Sequence, residues 1–499
     1  MGKCKAARGA LPGATMAVAN VKDHWGKTHP LRVMKAKHVI VSAVWIVCVW
    51  LTWVSSPWNS EVGDGNGEPV HPSTFHMHRP LHSGGRVSMS DQFHLELVSE
   101  GDGTHRLWIS NAFRQELDPA GFEGRLKIEP VGGEAVEVAF ERVDRGNELR
   151  ATSKPLTGQA WLTITGGIGT IEQFRGVKFF WDYDLQTAGL RSPLGLDSMV
   201  PVPKDNRPTK DKVELGRELF FDPILSADGT ISCASCHRPE FAFADNRAHS
   251  RGINGKKGTR NTPSVINVAY HEVFFWDGRS QSLEDQAIDP LFNHAEMGAN
   301  DKAQLLERLK PKYGERTESV FGEALSLDTI AKAIACYERT LLSGDSDFDR
   351  HEAGVPKAIN PAAKRGRTLF FEKARCGSCH IPPLFTDYRF HNLGVGWISA
   401  ERSDLGRFDI TKKSNDLGAF KTPSLRDITR TAPYMHDGSH KTLRKVVEFY
   451  NRGCEPNENL DPIIRPLGLN DQEMNDLVAF LKTLDGRTIE SIDTGASNP

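Results

Sequence analysis

The chain has 499 residues, a length that predicts roughly two to four domains with separate hydrophobic cores. Its 62 Lys and Arg residues nearly balance 64 Asp and Glu residues, and the resulting net charge of −2 argues against nucleic acid as a partner. The sequence contains 8 cysteines, and four of them fall in two short, similar strings.

The N-terminal region, residues 1–58, contains an uncharged apolar run, Val39–Val54, that follows several basic residues. This charge asymmetry is typical of an export segment with a cytoplasmic extension before it. The run is short for a membrane-spanning helix and long for the core of a signal peptide. An uncleaved signal-anchor is favoured over a cleaved signal peptide because no A-x-A site follows. We therefore expect a periplasmic protein that this segment anchors to the inner membrane.

Residues 59–85 are rich in Gly, Pro, Ser and His, a composition that predicts a linker. Its histidines could chelate copper, although a plain polar linker is the favoured alternative. Over residues 86–190, short β-rich runs alternate with polar or glycine-bearing turns, which predicts about seven strands in a small β-sandwich. The runs are FHLELV, HRLWIS, GRLKIEP, VEVAFERV, ELRATS, AWLTITG and VKFFWDYD. This domain would either dock a partner or act as a spacer.

Two five-residue strings, Cys233–His237 and Cys376–His380, share the pattern C-x-x-C-H. In this pattern the two thiols form thioethers with a c-type haem, and the adjacent imidazole becomes the proximal iron ligand. The predicted attachment residues are Cys233, Cys236, His237, Cys376, Cys379 and His380. A zinc site or a redox dithiol is the alternative, but a zinc site would not need histidine directly after both cysteine pairs.

The region from about 195 to 490 has a mainly helical pattern and repeats itself. GRELFF precedes the first C-x-x-C-H string, and GRTLFF precedes the second. Beyond the strings, TPS, DG and a leucine recur 160 residues later, from Thr262 onward in the first copy and from Thr422 onward in the second. Amphipathic patterns at Asp328–Leu342 and Asp471–Leu484 close the two halves. We predict two mainly α-helical, cytochrome c-like domains, 195–345 and 346–490.

The two halves differ where ligands of iron are expected. Tyr450 in the second half corresponds to Pro290 in the first, and His436 corresponds to Trp276. If the first pair faces the haems, one half offers a phenol that can ligate iron and the other offers no donor. This predicts one occupied iron and one open iron, at which peroxide can bind. The alternatives are that Tyr450 is a buried structural residue or that Met435 is the ligand instead.

Residues 195–490 contain, in this order, the motifs LGRELFFDP, CASCH, RNTPS, FFWDGR, EMG, CGSCH, FKTPSLRD, TAPYMHDG and FYNRG. Through these motifs the chain resembles the bacterial di-haem cytochrome c peroxidase family. The resemblance implies that the first haem reduces hydrogen peroxide and that the second receives electrons from a small cytochrome c or a cupredoxin. It implies a catalytic acid–base at Glu296, a distal amide at Gln286 and an electron relay between the haems at Trp276. It further implies an inter-haem calcium ion bound by Asn261, Thr431 and Pro433.

These side chains also have plainer alternatives. A carboxylate at an open haem can carry a proton between the two oxygens of peroxide, whereas Glu296 would otherwise be a solvated loop residue. Trp276 could be a core filler as well as a relay. His436 is expected to support a haem propionate or its own loop and not to bind iron.

Two departures from the family pattern favour its methylamine-utilisation (MauG-type) branch. Classical members carry a histidine in the loop that closes the first haem at rest, but residues 251–258 contain none, and His249 is displaced. Tyr450 stands where classical members have a methionine ligand. In that branch the enzyme oxidises a partner protein. The favoured function is a peroxidase; the alternatives are a MauG-type oxidase and a non-enzymatic di-haem electron carrier, which would need both irons six-coordinate.

Overall fold

The computed structural model describes residues 21–22, 28–29, 80–90, 93–111, 114–143, 146–168, 171–398 and 403–487. The chain divides into two units, Met1–Pro72 and Ser73–Pro499. In the first unit, Val21–Lys22 pairs antiparallel with Thr28–His29. The predicted anchor Val39–Val54 and residues 59–79 of the linker lie outside the described residues. In the described ranges, no helix is both long enough and apolar enough to cross a membrane.

The β-rich region predicted after the linker is present as two antiparallel sheets. Its strands are β1 (Arg86–Ser90), β2 (Phe93–Ser99), β3 (Thr104–Ser110), β4 (Phe122–Pro130), β5 (Val136–Ala139), β6 (Glu141–Arg142), β7 (Leu149–Thr152), β8 (Gln159–Ile168) and β9 (Ile171–Asp182). One sheet has the order β1-β2-β3-β7-β6 and the other β9-β8-β4-β5. Leu95, Leu107, Ile128 and Leu162 belong to one fully buried core to which both sheets contribute.

The strand count differs from the prediction at two places. β1 was not predicted, because its sequence RVSMS contains only two apolar residues, Val87 and Met89, and it lies at a sheet edge where neither is fully buried. The single run VEVAFERV forms two strands, since β5 pairs with β4 in one sheet and β6 pairs with β7 in the other. Between them, Phe140 is buried, and its backbone N–H donates to the Gly124 carbonyl at 3.0 Å. The chain therefore crosses from one sheet to the other at Phe140.

The last histidine of the linker is held by the sandwich. The His82 ring stacks on Trp108 with centroids 3.7 Å apart, and its Nδ1 and Nε2 lie 3.2 and 3.3 Å from carboxylate oxygens of Glu96 and Glu116. Burial alone would lower the pKa of His82, but the two carboxylates raise it to about 9. A protonated imidazole has no lone pair for a metal, so His82 is unsuited to the copper alternative.

The remainder of the second unit is mainly helical, as predicted. Its helices are α1 (Tyr183–Thr187), α2 (Lys210–Phe221), α3 (Leu283–Phe292), α4 (Lys302–Phe321), α5 (Leu327–Glu338), α6 (Asp347–Glu352), α7 (Pro361–Phe371), α8 (Phe408–Thr411), α9 (Leu443–Asn451) and α10 (Asp471–Leu481). Two short strands, β10 (Phe390–Asn392) and β11 (Ala419–Lys421), pair antiparallel in the second half. The two amphipathic patterns of the sequence are α5 and α10.

The repeated glycine of GR-x-LFF is explained by helix crossing. A Cβ on Gly216 of α2 would lie 1.8 Å from the carbonyl oxygen of Ala333 in α5. A Cβ on Gly366 of α7 would lie 1.9 Å from the carbonyl oxygen of Asp476 in α10. Four residues after each glycine, a phenylalanine is buried in the core of its half. The same crossing therefore builds both halves, and only glycine permits it.

A buried ion pair, with two further hydrogen bonds, joins four segments of this unit. The Nη2 atom of Arg426 lies 2.9 Å from Oδ1 of Asp349 in α6, and both side chains are almost fully buried. The same guanidinium donates to the carbonyl oxygens of Gly195 and Pro383 at 3.0 and 2.8 Å. Arg426 therefore connects the segment that leaves the sandwich, at Gly195, to the second half of the helical region.

Asp349→Asn is expected to lower the free energy of unfolding by about 3–5 kcal/mol, because it leaves the Arg426 charge buried without a carboxylate. Guanidinium titration of the haem-loaded protein measures the loss. The control is Asp409→Asn, which removes the exposed pair with Lys412 and is expected to cost less than about 1 kcal/mol. Equal losses in the two variants would contradict the assignment of Arg426 as a buried connector.

Candidate functional site

The two C-x-x-C-H strings have the same local structure. Each begins with a 3₁₀ turn, Cys233–Ser235 or Cys376–Ser378. In each, the backbone N–H of the histidine donates to the carbonyl of the first cysteine at 2.9 Å. The thiols of both strings are free, as thioether formation requires. The turn thus brings two thiols and one imidazole together in each half.

In both strings the histidine lies within hydrogen-bond distance of a backbone carbonyl oxygen through its Nδ1. Nδ1 of His237 lies 3.0 Å from the carbonyl oxygen of Phe243, and Nδ1 of His380 lies 2.8 Å from that of Phe385. When Nδ1 donates to a carbonyl, Nε2 carries the lone pair that an iron ligand needs. Burial lowers the pKa of both imidazoles, so both are neutral near pH 7. The residues present fit two haems.

A cavity with a mostly apolar wall lies beside the second string. Cys376, Cys379 and His380 line it together with Tyr450 of α9 and Met435. Burial raises the pKa of Tyr450 well above 10, and both thiols of the string add to this. A phenolate at this position would therefore need a local positive charge, which ferric iron provides. The structure brings both predicted ligand alternatives, Tyr450 and Met435, into the same cavity.

Glu296 lies beside the first string. Its Oε1 accepts a hydrogen bond from Asn293 Nδ2 at 2.7 Å. Burial raises the pKa of Glu296; Arg279 offsets part of this increase, and Asp289 adds to it. The negative charge of Glu296 contributes to the raised pKa of both thiols of the first string. The carboxyl is therefore close to the haem attachment site and partly shielded from solvent.

Gln286 and Pro290 lie on one face of α3, which leads towards Glu296. They are four residues apart, and Asn293 follows three residues later, just beyond the helix end. α3 and α9 begin 160 residues apart, at Leu283 and Leu443. Pro290 thus occupies in α3 the position that Tyr450 occupies in α9, as the repeat in the sequence implied.

The loop 251–258, which has no histidine, packs against the segment that carries Glu296. The Ile253 N–H donates to the Glu296 carbonyl oxygen at 2.9 Å. His249, the alternative closing ligand, is half-buried, and its Nδ1 has no hydrogen-bond partner among the described residues.

Trp276 lies where the two halves meet. Its Nε1 donates to the Asn261 carbonyl at 2.8 Å, and its ring is 6.5 Å from that of His436 in an edge-on arrangement. The His436 ring stacks on Phe420 at 3.5 Å, and burial lowers its pKa to about 4. Trp276 and His436 both line the cavity beside the second string. Trp276 therefore contacts groups from both halves, as a relay would.

The residues predicted for calcium line the same cavity: Asn261, Thr431 and Pro433. The Asn261 Nδ2 donates to the Arg247 carbonyl at 3.0 Å, so its Oδ1 can face a cation. Amide, hydroxyl and carbonyl oxygens suit calcium. A second grouping, Cys379 with Asp387 and His391, has the composition of a metal site. Its cysteine belongs to the second C-x-x-C-H string, so the grouping overlaps the predicted haem attachment site.

Sequence reasoning missed the groups that set the state of Glu296, namely Asn293, Arg279 and Asp289. Asn293 precedes Glu296 by three residues, a spacing that a local hydrogen bond could have suggested. The two charged residues reach Glu296 only through the fold.

The profile of the di-haem cytochrome c peroxidase family (CCP_MauG) matches residues 210–357. Cytochrome-c peroxidase IdrP1 of Denitromonas iodatirespirans is 40% identical over 326 residues, which cover 58% of this chain and 86% of that protein. Methylamine utilization protein MauG of Methylorubrum extorquens is 40% identical over 303 residues, which cover 60% and 84%.

Two solved structures are similar. A MauG-like protein associated with microbial copper homeostasis has 36% identity and a TM-score of 0.54, with coverage of 58% of this chain and 93% of that one. The diheme peroxidase BthA from Burkholderia thailandensis has 27% identity and a TM-score of 0.52, with coverage of 60% and 92%.

These relatives agree with the duplicated haem strings and with the motifs read from the sequence. The family implies two c-type haems, and the relatives named cytochrome-c peroxidase support an oxidoreductase that acts on peroxide. The chain belongs to the di-haem cytochrome c peroxidase family.

Proposed function

We propose that the protein reduces hydrogen peroxide at its first haem with electrons that pass through the second. A haem held by Cys233, Cys236 and His237 would supply the iron at which peroxide is reduced. The observation that carries the proposal is the asymmetry of the two halves. Glu296 lies partly shielded beside the first string, where Pro290 offers no ligand, whereas Tyr450 faces the second string.

Glu296 is proposed as the acid–base group. Its Oε1 is engaged by Asn293, so Oε2 would accept a proton from one oxygen of peroxide and deliver it to the other, which leaves as water. A raised pKa suits this role because the carboxyl must both take up and release a proton. Gln286, on the helix face that leads to Glu296, would orient the peroxide.

Trp276 is proposed to relay electrons between the halves, since its hydrogen-bond and ring partners come from both of them. His380 and Tyr450 would hold the iron of the second haem, and a small cytochrome c or a cupredoxin would supply its electrons. A calcium ion between the haems is proposed to be bound by Asn261, Thr431 and Pro433, which line the cavity beside the second string.

Family members typically work in the periplasm, and we propose the same location here. The segment Val39–Val54 would provide export and an inner-membrane anchor. Membrane fractionation of cells before and after deletion of residues 1–58 tests the anchor.

A MauG-type oxidase that modifies a partner protein is the second candidate. Two observations favour it: Tyr450 lies beside the second haem string, and the loop 251–258 carries no closing histidine.

The resting ferric protein is expected to have one high-spin and one low-spin haem without prior reduction. The reason is that neither Pro290 nor the loop 251–258 offers a side-chain ligand for the first haem. Electron paramagnetic resonance of the purified, fully haem-loaded protein measures both spin states. Two low-spin signals would contradict the open site, and His249→Ala would then test whether His249 closes it. Two six-coordinate haems with no peroxide reduction would favour the electron carrier.

A further inference from the structure

Lys421, at the end of β11, is a buried cation without an ionic partner. The residue is 9% exposed and lines the cavity of the second haem string. Within the described ranges no carboxylate pairs with its ammonium group, and the Tyr388 ring centroid lies 6.0 Å from its Nζ. Burial lowers the pKa of Lys421 to about 8. An ammonium group in such a place is costly unless an anion accompanies it.

Two further polar atoms near Lys421 lack partners. The Nε2 atom of His271 and the hydroxyl of Tyr388 are buried and have no hydrogen-bond partner among the described residues. Their rings are 5.2 Å apart, and His271 lines the same cavity as Lys421. Burial, together with the charge of Lys421, lowers the pKa of His271 well below 6.5, so its imidazole is neutral and carries one N–H. An ammonium, an imidazole and a phenol thus lie near one another, and no residue that the structure describes accepts a hydrogen bond from them.

The duplication relates Lys421 and His271 to residues of the other half that have different side-chain chemistry. Lys421 corresponds to Asn261, and the two make equivalent backbone bonds. The Lys421 N–H donates to the Trp276 carbonyl at 2.8 Å, and the Asn261 N–H donates to the His436 carbonyl at 2.6 Å. His271 likewise corresponds to Thr431. At each of these two positions, an oxygen donor in one half corresponds to a nitrogen donor in the other. Oxygen donors suit a cation, and nitrogen donors suit an anion.

We propose that Lys421 and His271, on the wall of the cavity beside the second string, form a carboxylate-binding site together with Tyr388, whose ring lies next to both. The carboxylate is either a propionate of the haem at His380 or a free monocarboxylate that enters the cavity. A charge-assisted bond from Lys421, with neutral hydrogen bonds beside it, would offset the cost of burying the pair. The proposal requires haem at the second string, but it holds for either of the reactions proposed above.

A potentiometric titration of the haem-loaded protein tests this site without peroxide turnover. If the ligand is a propionate, Lys421→Met leaves it unpaired, which stabilises the ferric state of the second haem, so the midpoint potential of that haem falls while that of the first haem stays unchanged. Lys421→Arg should restore most of the potential. Lys412→Met, which removes an exposed lysine, should change neither haem.

Acetate separates the two sources of the carboxylate. If the ligand is a propionate, acetate at constant ionic strength leaves the wild-type potentials unchanged. If the ligand is a free carboxylate, acetate shifts the wild-type second-haem potential saturably and has no effect in Lys421→Met. Equal potentials in wild type and Lys421→Met, with no response to acetate, would overturn the proposal.

Tyr388→Phe keeps the test decisive if Lys421→Met fails to take up both haems. This variant removes one hydroxyl and should lower the second-haem potential in the same direction but by less, or weaken the acetate response. No change in either quantity would overturn the proposal.

Discussion

Glu296→Gln is expected to lower peroxide turnover by roughly 10²–10⁴-fold, the usual contribution of a positioned acid–base group. Glutamine keeps the length of the side chain and can still accept the hydrogen bond from Asn293, but it cannot carry the proton. Steady-state peroxide reduction with a reduced cytochrome c donor measures the loss. The haem absorption spectrum should stay that of a protein with both haems attached.

Glu307→Gln is a matched control, since Glu307 is an exposed residue of α4. It should leave turnover unchanged. If Glu296→Gln turns over as fast as the wild type, Glu296 has no part in the reaction.

The pH profile gives an independent check on the same carboxyl. Glu296 must be ionised to accept a proton, so turnover should fall as the pH drops through its pKa. Burial raises that pKa above the ordinary value near 4.5, which moves the acidic limb of the profile to higher pH. Asp289 contributes to the increase, so Asp289→Asn should move the limb back to lower pH. If the acidic limb does not move in Asp289→Asn, the group that titrates there is not Glu296.

Tyr450→Met is expected to raise the reduction potential of the second haem by on the order of 100 mV or more, within the roughly 0.8 V that axial ligands span. A phenolate stabilises ferric iron, whereas a thioether favours the ferrous state. Under the MauG-type alternative the wild type should be a poor acceptor of electrons from a cytochrome donor and Tyr450→Met should approach an ordinary peroxidase, whereas the proposed peroxidase should turn over with that donor in both forms. Potentiometry and turnover with reduced cytochrome c measure the two effects.

Met435→Leu is the companion variant, because Met435 lines the same cavity. It should leave the low-spin signal of the second haem unchanged. Loss of that signal in Met435→Leu, but not in Tyr450→Met, would make Met435 the ligand. If the wild type already turns over fast with the donor, and Tyr450→Met is no different, the MauG-type alternative fails and the simple peroxidase stands.

Much of the helical region could be predicted because duplication repeats its constraints. The glycine crossings, the haem strings and the starts of α3 and α9 recur in the same order in both halves, so each half supports the assignment of the other. The β-sandwich was less predictable in detail. Strand β1 contains only two apolar residues, and the change of sheet at Phe140 depends on long-range pairings, because β7 joins β3 in one sheet and β4 joins β8 in the other.

The site was predictable as a set of residues but not as an electrostatic environment. Glu296 could be assigned from its motif, whereas the opposing effects of Arg279 and Asp289 on it depend on the fold. Lys421 lies within a recognised motif, yet its isolation from every described carboxylate is visible only in three dimensions. Comparing the halves at the spacing of 160 residues could have drawn attention to it, because it pairs a lysine with Asn261.

The two equivalent main-chain hydrogen bonds between the halves have a consequence for electron tunnelling between the haems. The bonds of Lys421 to Trp276 and of Asn261 to His436 use only main-chain atoms, so a change of side chain leaves both bonds available. In Trp276→Phe the spacing of the two halves should therefore persist, while the electronic medium between them changes. A slower transfer between the haems in that variant would report on the indole itself and not on a longer path.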